Sequence, residues 1–217
     1  MKNDRSKLAN NLFLQTSNQT RNYRIVLPVF LLLVAISLGY FILRKIQVNA
    51  ARQVVNNCSL KNKCDRIIPA LETLVKARQS LKSFTFDYVD LKGANLNHVD
   101  FYRTNFDHAN LEDVNLEGAN LYRTNLGNAN LKNTNLEGVN LSSAILIDTK
   151  NLTPTQIKSA CNWEQAFYKG QFDYKYSEWI IDRQANEQFI RQLQEAEAAD
   201  SKQPVDCTKW KNWTQVR

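Results

Sequence analysis

The chain has 217 residues, 43% of them apolar and 23% charged, which excludes a disordered polar chain and leaves room for one or two domains. Gly 6 and Pro 4 exclude collagen-like and linker-dominated architectures, and 2 His exclude His-rich metal chemistry. Lys and Arg outnumber Asp and Glu by 28 to 21, a net charge of +7.

The first predicted element is residues 25–43, IVLPVFLLLVAISLGYFIL, a run of 19 without a charge. As a helix at ~1.5 Å per residue it would span ~28 Å, close to the ~30 Å hydrocarbon core of a bilayer. Arg24 precedes it, Arg44 and Lys45 follow it, and Tyr23 and Tyr40 stand near its ends, where amphipathic rings favour the interface. A single transmembrane helix is therefore expected. Residues 1–24 would form a cytoplasmic or flexible tail, and residues 44–64 a juxtamembrane linker. A cleaved signal peptide fits less well: Val48-Asn49-Ala50 lies well beyond the apolar run, across two charges. Five basic residues on each side leave orientation undecided by charge. Cys58, Cys64, Cys161 and Cys207 all follow the span, which favours an exported, oxidising location for the body.

Residues 65–83 are expected to hold a short amphipathic capping helix, with Leu71, Leu74, Val75 and Arg78 at helical spacing and Pro69 early. From Phe84 to Asp148 the chain divides into thirteen blocks of five, from FTFDY through VDLKG and ANLNH to VNLSS and AILID. The third residue is Leu or Phe in all thirteen: Phe86, Leu91, Leu96, Phe101, Phe106, Leu111, Leu116, Leu121, Leu126, Leu131, Leu136, Leu141 and Leu146. The first is Ala, Val or Thr in twelve, and the second Asn or Asp in eleven. The fourth and fifth vary. A period of five fits neither a helix nor a flat strand, so the chain must turn a corner once per block. The large third residue then fills the centre, the small first residue fits beside it, and Asn or Asp bonds nearby backbone.

These blocks resemble the A(D/N)LXX pattern of the pentapeptide repeat family. The resemblance implies a mainly β fold, a right-handed quadrilateral β-helix with four blocks per coil. Thirteen blocks make about three coils, ~16 Å tall at the usual strand spacing. So short a stack needs caps at both ends. Residues 149–217 are expected to supply the second as a helical cap and tail. Thr153-Pro154 reads as an N-cap followed by Pro; Ile157, Ala160, Cys161 and Phe167 mark a helical face; Gly170 is a stop, and Ser177 starts a second helix. The tail, LTPTQIKSACNWEQAFY with QPVDCTKW, resembles that of many pentapeptide repeat proteins of photosynthetic bacteria. That resemblance implies that Cys161 faces Cys207. Cys58 and Cys64 enclose a short loop and are candidates for a second bridge. The alternative is four reduced structural thiols.

Four blocks per coil place residues 20 apart on one face. Tyr102 should stand above Tyr122 and Arg103 above Arg123, with Lys82 one step before. This is the candidate interaction patch, since interfaces favour Tyr and Arg; the plain alternative is a solvated ladder. Lys92, Glu112 and Lys132 form a self-neutralising column, Glu117 stands above Glu137, and His98 and His108 point to opposite faces. No nucleophile constellation, phosphate loop or metal motif occurs, so no catalytic, metal or cofactor site is expected. The functional expectation is a non-enzymatic membrane-anchored interaction module or scaffold with a protein partner and no nucleic acid. The alternatives are a DNA mimic acting on a topoisomerase, as some family members are, and a thiol-redox protein. Against mimicry, residues 84–148 hold nine acids and four bases, spread over all faces of a short prism.

Overall fold

The computed structural model describes residues 3–57, 66–195 and 205–210. The chain forms two compact units, Met1–Gln47 and Val48–Arg217. Helix α1 (Asn3–Asn57) makes up the first unit and enters the second. Its Phe30–Asn57 portion is long and apolar enough to cross a membrane, and Phe30, Leu31, Leu32, Leu33, Phe41 and Leu43 are exposed.

The expected linker at 44–64 is helical as far as Asn57. No Pro or Gly interrupts residues 44–57, and Val48, Ala51 and Val55 follow i, i+3, i+7 spacing. Ala51 and Val55 are buried in the core of the second unit, and Arg52 Nη2 donates to Gln79 Oε1 at 2.9 Å. The end of α1 thus belongs to the N-terminal cap. Helix α2 (Ile67–Lys76) contributes Ile67, Ala70, Leu71 and Leu74 to the same core. Cys58 and Cys64 lie outside the described residues.

From Thr85 the chain returns over itself at a fixed interval. Parallel bridges join Thr85 to Asn105, Asp90 to Asn110, Asn95 to Asn115, and so on to Asn130 with Lys150, each pair 20 residues apart. Around each bridge the backbone is bonded in both directions: Leu111 N donates to Asn130 O (2.9 Å), and Asn130 N to Ala109 O (3.0 Å). Each bridge is one residue long because the chain turns a corner in every block. The corner needs a left-handed residue, and every fifth position from Tyr88 to Asp148 has φ between +53° and +72°. That position does not vary freely: none of its occupants is β-branched or Pro. Its carbonyl also receives no backbone N–H in the ladder between coils.

All thirteen third-position side chains are buried. At the N-terminal end, Phe86 stacks on Phe106 at 5.2 Å, and Phe101 meets Phe106 edge-on at 5.1 Å. First-position Thr residues satisfy their buried hydroxyls on carbonyls of the preceding coil, as with Thr124 Oγ1 to Phe101 O at 2.9 Å. The second position does two jobs. Asn120 Oδ1 accepts from Tyr122 N at 3.2 Å and so fixes the corner. Its Nδ2 donates to Asp100 Oδ1 at 3.0 Å, and Asn140 Nδ2 donates to Asn120 Oδ1 at 3.1 Å, tying three coils together.

The ladder outlasts the sequence repeat. Asn140 bridges to Cys161 and Ile145 to Phe167, 21 and 22 residues on. Both residues were expected on a helical face, but α3 (Pro154–Lys158) is only five residues long. Thr153 caps it, and Gln156 completes the capping box while its Nε2 donates to Leu131 O and Thr134 O at 2.9 Å. Backbone positions left open by the last coil attract the following chain more strongly than one more helical turn would. Gly170 is not a helix stop and Ser177 starts no helix: β1 (Gly170–Asp173) pairs antiparallel with β2 (Glu178–Ile181) through a turn with Ser177 at φ 54. Helix α4 (Arg183–Glu195) follows, and its buried Asn186 accepts from Tyr168 N.

Two substitutions separate core from ladder. Leu121→Ala should cost about 2–5 kcal/mol as a cavity. Asn120→Ala should cost about 2–4 kcal/mol, because partners on two neighbouring coils lose their bonds. Chemical denaturation of each variant in detergent checks both; a cost for Asn120→Ala below about 0.5 kcal/mol would mean that the column is ornamental.

Candidate functional site

The four faces differ in what covers them. On the first, the rings of Tyr102 and Tyr122 stack with centroids 5.5 Å apart. Asp100 and Asn120 set both backbones by accepting from Tyr102 N and Tyr122 N. Arg103 and Arg123 follow at the left-handed corner, φ 57, which turns each guanidinium back over the neighbouring ring at 5.3 and 5.2 Å. Both are exposed, and among the described residues neither takes part in an ion pair. Lys82, at the edge, pairs with Asp100 at 3.0 Å.

The second face is neutralised. Lys92 Nζ and Lys132 Nζ lie 3.1 and 3.2 Å from Glu112 Oε1. Hydrogen bonds from Lys92 and then Lys132 hold the Glu112 carboxyl below the usual range, and the same contact raises Lys92.

The third face carries the hairpin. The Trp179 ring packs on Gly127, where any Cβ would collide with it, and Phe172 meets Trp179 edge-on at 5.3 Å. Above them Tyr88 stacks on His108 at 4.5 Å, and Asp107 bonds His108 Nδ1 at 3.0 Å and Asn128 Nδ2 at 3.2 Å. Burial, then the nearby Asp107 carboxylate, raises the Asp87 pKa, with His108 opposing. Asp87 Oδ1 is buried without a hydrogen-bond partner among the described residues.

The fourth face carries a strap, residues 205–210. Cys207 is bonded to Cys161 across 46 residues of sequence. Lys209 Nζ donates to Gly118 O and Trp210 Nε1 to Gly138 O, both at 2.8 Å. Burial lowers the Lys209 pKa, and nearby Glu117 opposes the shift. His98, at the rim, sits on this face and His108 on another, so the two do not meet.

Residues 86–121 and 119–150 match the family model for pentapeptide repeats, in 8 copies. Residues 86–150 are thus a run of pentapeptide repeats. Among curated proteins none matches it in sequence. Solved structures similar over part of the chain include the following three. A pentapeptide repeat protein from the thylakoid lumen of Arabidopsis thaliana is 28% identical over 45% of this chain and 59% of its own, with a TM-score of 0.30. HetL, a pentapeptide repeat protein involved in heterocyst differentiation regulation in the cyanobacterium Nostoc sp. strain PCC 7120, is 29% identical over 35% and 39%, at 0.18. QnrB1, a plasmid-mediated fluoroquinolone resistance protein, is 18% identical over 42% and 70%, at 0.14. The pentapeptide-repeat chain described here therefore spans 59% of the length of the first of them.

Sequence reasoning missed the strap and the hairpin as covers for pentapeptide-repeat faces. The signal for the strap was present: Gly118 and Gly138 stand 20 apart at the fifth position, removing side chains from one face of two successive coils. The Trp179 seat left only Gly127, which reads as an ordinary variable position.

The Asp87 carboxyl gives a pH prediction. Its folded pKa is raised, so ionised Asp87 costs stability above the usual carboxylate range, and the cost vanishes once pH falls low enough to protonate it in both folded and unfolded chains. Asp87→Asn should raise Tm at pH 7 and leave it unchanged near pH 3. Calorimetry at both values checks this; a lower Tm at pH 7 would contradict it.

Proposed function

We propose that the protein is a non-enzymatic membrane-anchored interaction module. The apolar part of α1 holds it in a bilayer, with the body on the exported side. A right-handed quadrilateral stack of about three coils presents the Tyr102, Arg103, Tyr122 and Arg123 face to an acidic segment of a protein partner. One observation carries the choice of face: two guanidiniums lie by aromatic rings with no ion pair among the described residues, while the other three faces are covered or neutralised. A guanidinium held beside a ring keeps a fork of donors for a carboxylate and loses less freedom on binding. The Cys161–Cys207 disulfide supports the exported location, because such bonds persist in oxidising compartments. Duplex mimicry fits less well, since Glu112 is tied between two lysines.

The test compares wild type with Arg103→Glu/Arg123→Glu in capture from detergent-solubilised membranes at low salt. The variant should keep its far-UV circular dichroism and lose capture of the main partner by about tenfold to a hundredfold, or ~1.4–2.8 kcal/mol. Equal capture by both would remove the patch. Digestion of sealed vesicles by external protease tests the anchor and its orientation separately.

A further inference from the structure

The strap occupies a site that the coils build without it. Each fifth-position carbonyl is left out of the ladder between coils. On most of the stack a side chain stands at that position; at Gly93, Gly118 and Gly138 there is none, and of these Gly118 and Gly138 stand 20 apart on one face. Two bare acceptors are thereby exposed one above the other on successive coils. The glycines are needed for space as well as for their left-handed backbone. A Cβ on Gly118 would lie 2.5 Å from His98 Nδ1 and 3.0 Å from Lys209 Nζ. The two carbonyls are met by two different donors, an ammonium and an indole N–H, each at 2.8 Å. Lys209 Nζ also sits 4.4 Å from the centre of the Trp210 ring, so cation and ring arrive as one preassembled unit. The ring is buried, at 6% exposure, with Val205 against Gly138 on the same groove.

We propose that this groove is a binding seat for a protein segment carrying a lysine next to a tryptophan, and that the chain's own residues 205–210 close it while Cys161 and Cys207 are joined. The disulfide is placed to control access. Cys161 is buried within the last coil, whereas Cys207 is half-buried in the strap. A dithiol reductant would attack through its thiolate at the Cys207 sulfur. The S–S bond breaks, and Cys161 leaves as a thiolate and takes up a proton. The second thiol of the reductant then displaces Cys207 as its thiol, so the protein gains two electrons and two protons and the reductant becomes a cyclic disulfide. The strap then keeps its hydrogen bonds to Gly118 and Gly138 and stays attached through the backbone, but the cross-link that holds it over the groove is gone; its effective concentration at the seat falls, and an incoming segment with the same donors displaces it more readily. This seat is separate from the Arg103/Arg123 face, and neither depends on the other.

The experiment uses the full chain in detergent and a fluorescein-labelled peptide, Val-Asp-Ser-Thr-Lys-Trp, read by fluorescence polarisation. Protein reduced with dithiothreitol, and Cys207→Ser without reductant, should bind the peptide at least about tenfold more tightly than the oxidised protein, because the closed seat taxes the competitor. Replacing Lys or Trp in the peptide by Ala should abolish the gain. Trp210→Ala with the disulfide intact provides a second opening that does not touch the cysteines; it should bind better than oxidised wild type, and it decides the matter if loss of the disulfide unfolds the body. Equal binding by oxidised, reduced and substituted protein, or binding by none of them, overturns the proposal. So does equal binding of a scrambled peptide.

Discussion

The body depends on one constraint: the chain must come back over itself after 20 residues with a polar residue at the same corner. The second-position Asn meets that constraint with a single side chain. Its oxygen pins the turn two residues ahead, and its nitrogen reaches the coil before. Local geometry and inter-coil register are therefore set by the same atoms. A slip of one residue would break both at once and would also move Leu or Phe out of the centre. The buried third position then supplies the apolar driving force, but it does not choose the register; a column of Leu alone would tolerate sliding.

The period, the centre and the stacking of faces were legible because they rest on residue types repeated thirteen times. The N-terminal cap was half legible. Leu71 and Leu74 announce α2, but Val48, Ala51 and Val55 stand beside a long apolar run whose hydrophobicity hides their helical spacing. After Asp148 local propensity favours helices, and there tertiary context prevails. Cys161 and Phe167 have reasonable helical neighbours, yet the last coil offers unfilled backbone donors and acceptors next to them. The candidate face was legible as columns of Tyr and Arg. What made it distinctive, the covering of the other faces, depends on segments that return from far along the chain, and no spacing in the repeat reports them.

The two covering segments treat glycine in different ways. Under Trp179, Gly127 gives room for a ring to approach the coil, a contact of shape. Under the strap, Gly118 and Gly138 give access to carbonyls, a contact of hydrogen bonding. A pentapeptide stack can thus be sealed on one side by packing and on another by donors, while the Lys92–Glu112–Lys132 column needs no cover because its charges are already satisfied. Among the described residues, no segment lies over the stacked Tyr102 and Tyr122 rings and their guanidiniums.

The left-handed corner at each fifth position has a consequence for redesign. The outer lettering of this prism can be rewritten block by block without disturbing its interior, but the two outward sites in a block obey different alphabets. The fourth tolerates wide variation where it faces solvent, but not at Gly127 under Trp179 or at the buried Ser142 and Ile147. The fifth pays a backbone penalty for every residue except Gly, and most heavily for Val, Ile and Thr, so it is naturally held by Asn, Asp, Gly, His, Ser, Arg or Tyr. A combinatorial library built on this scaffold should randomise the solvent-facing fourth sites and restrict the fifth to those seven, while keeping Gly127 under the hairpin and Gly118 and Gly138 under the strap.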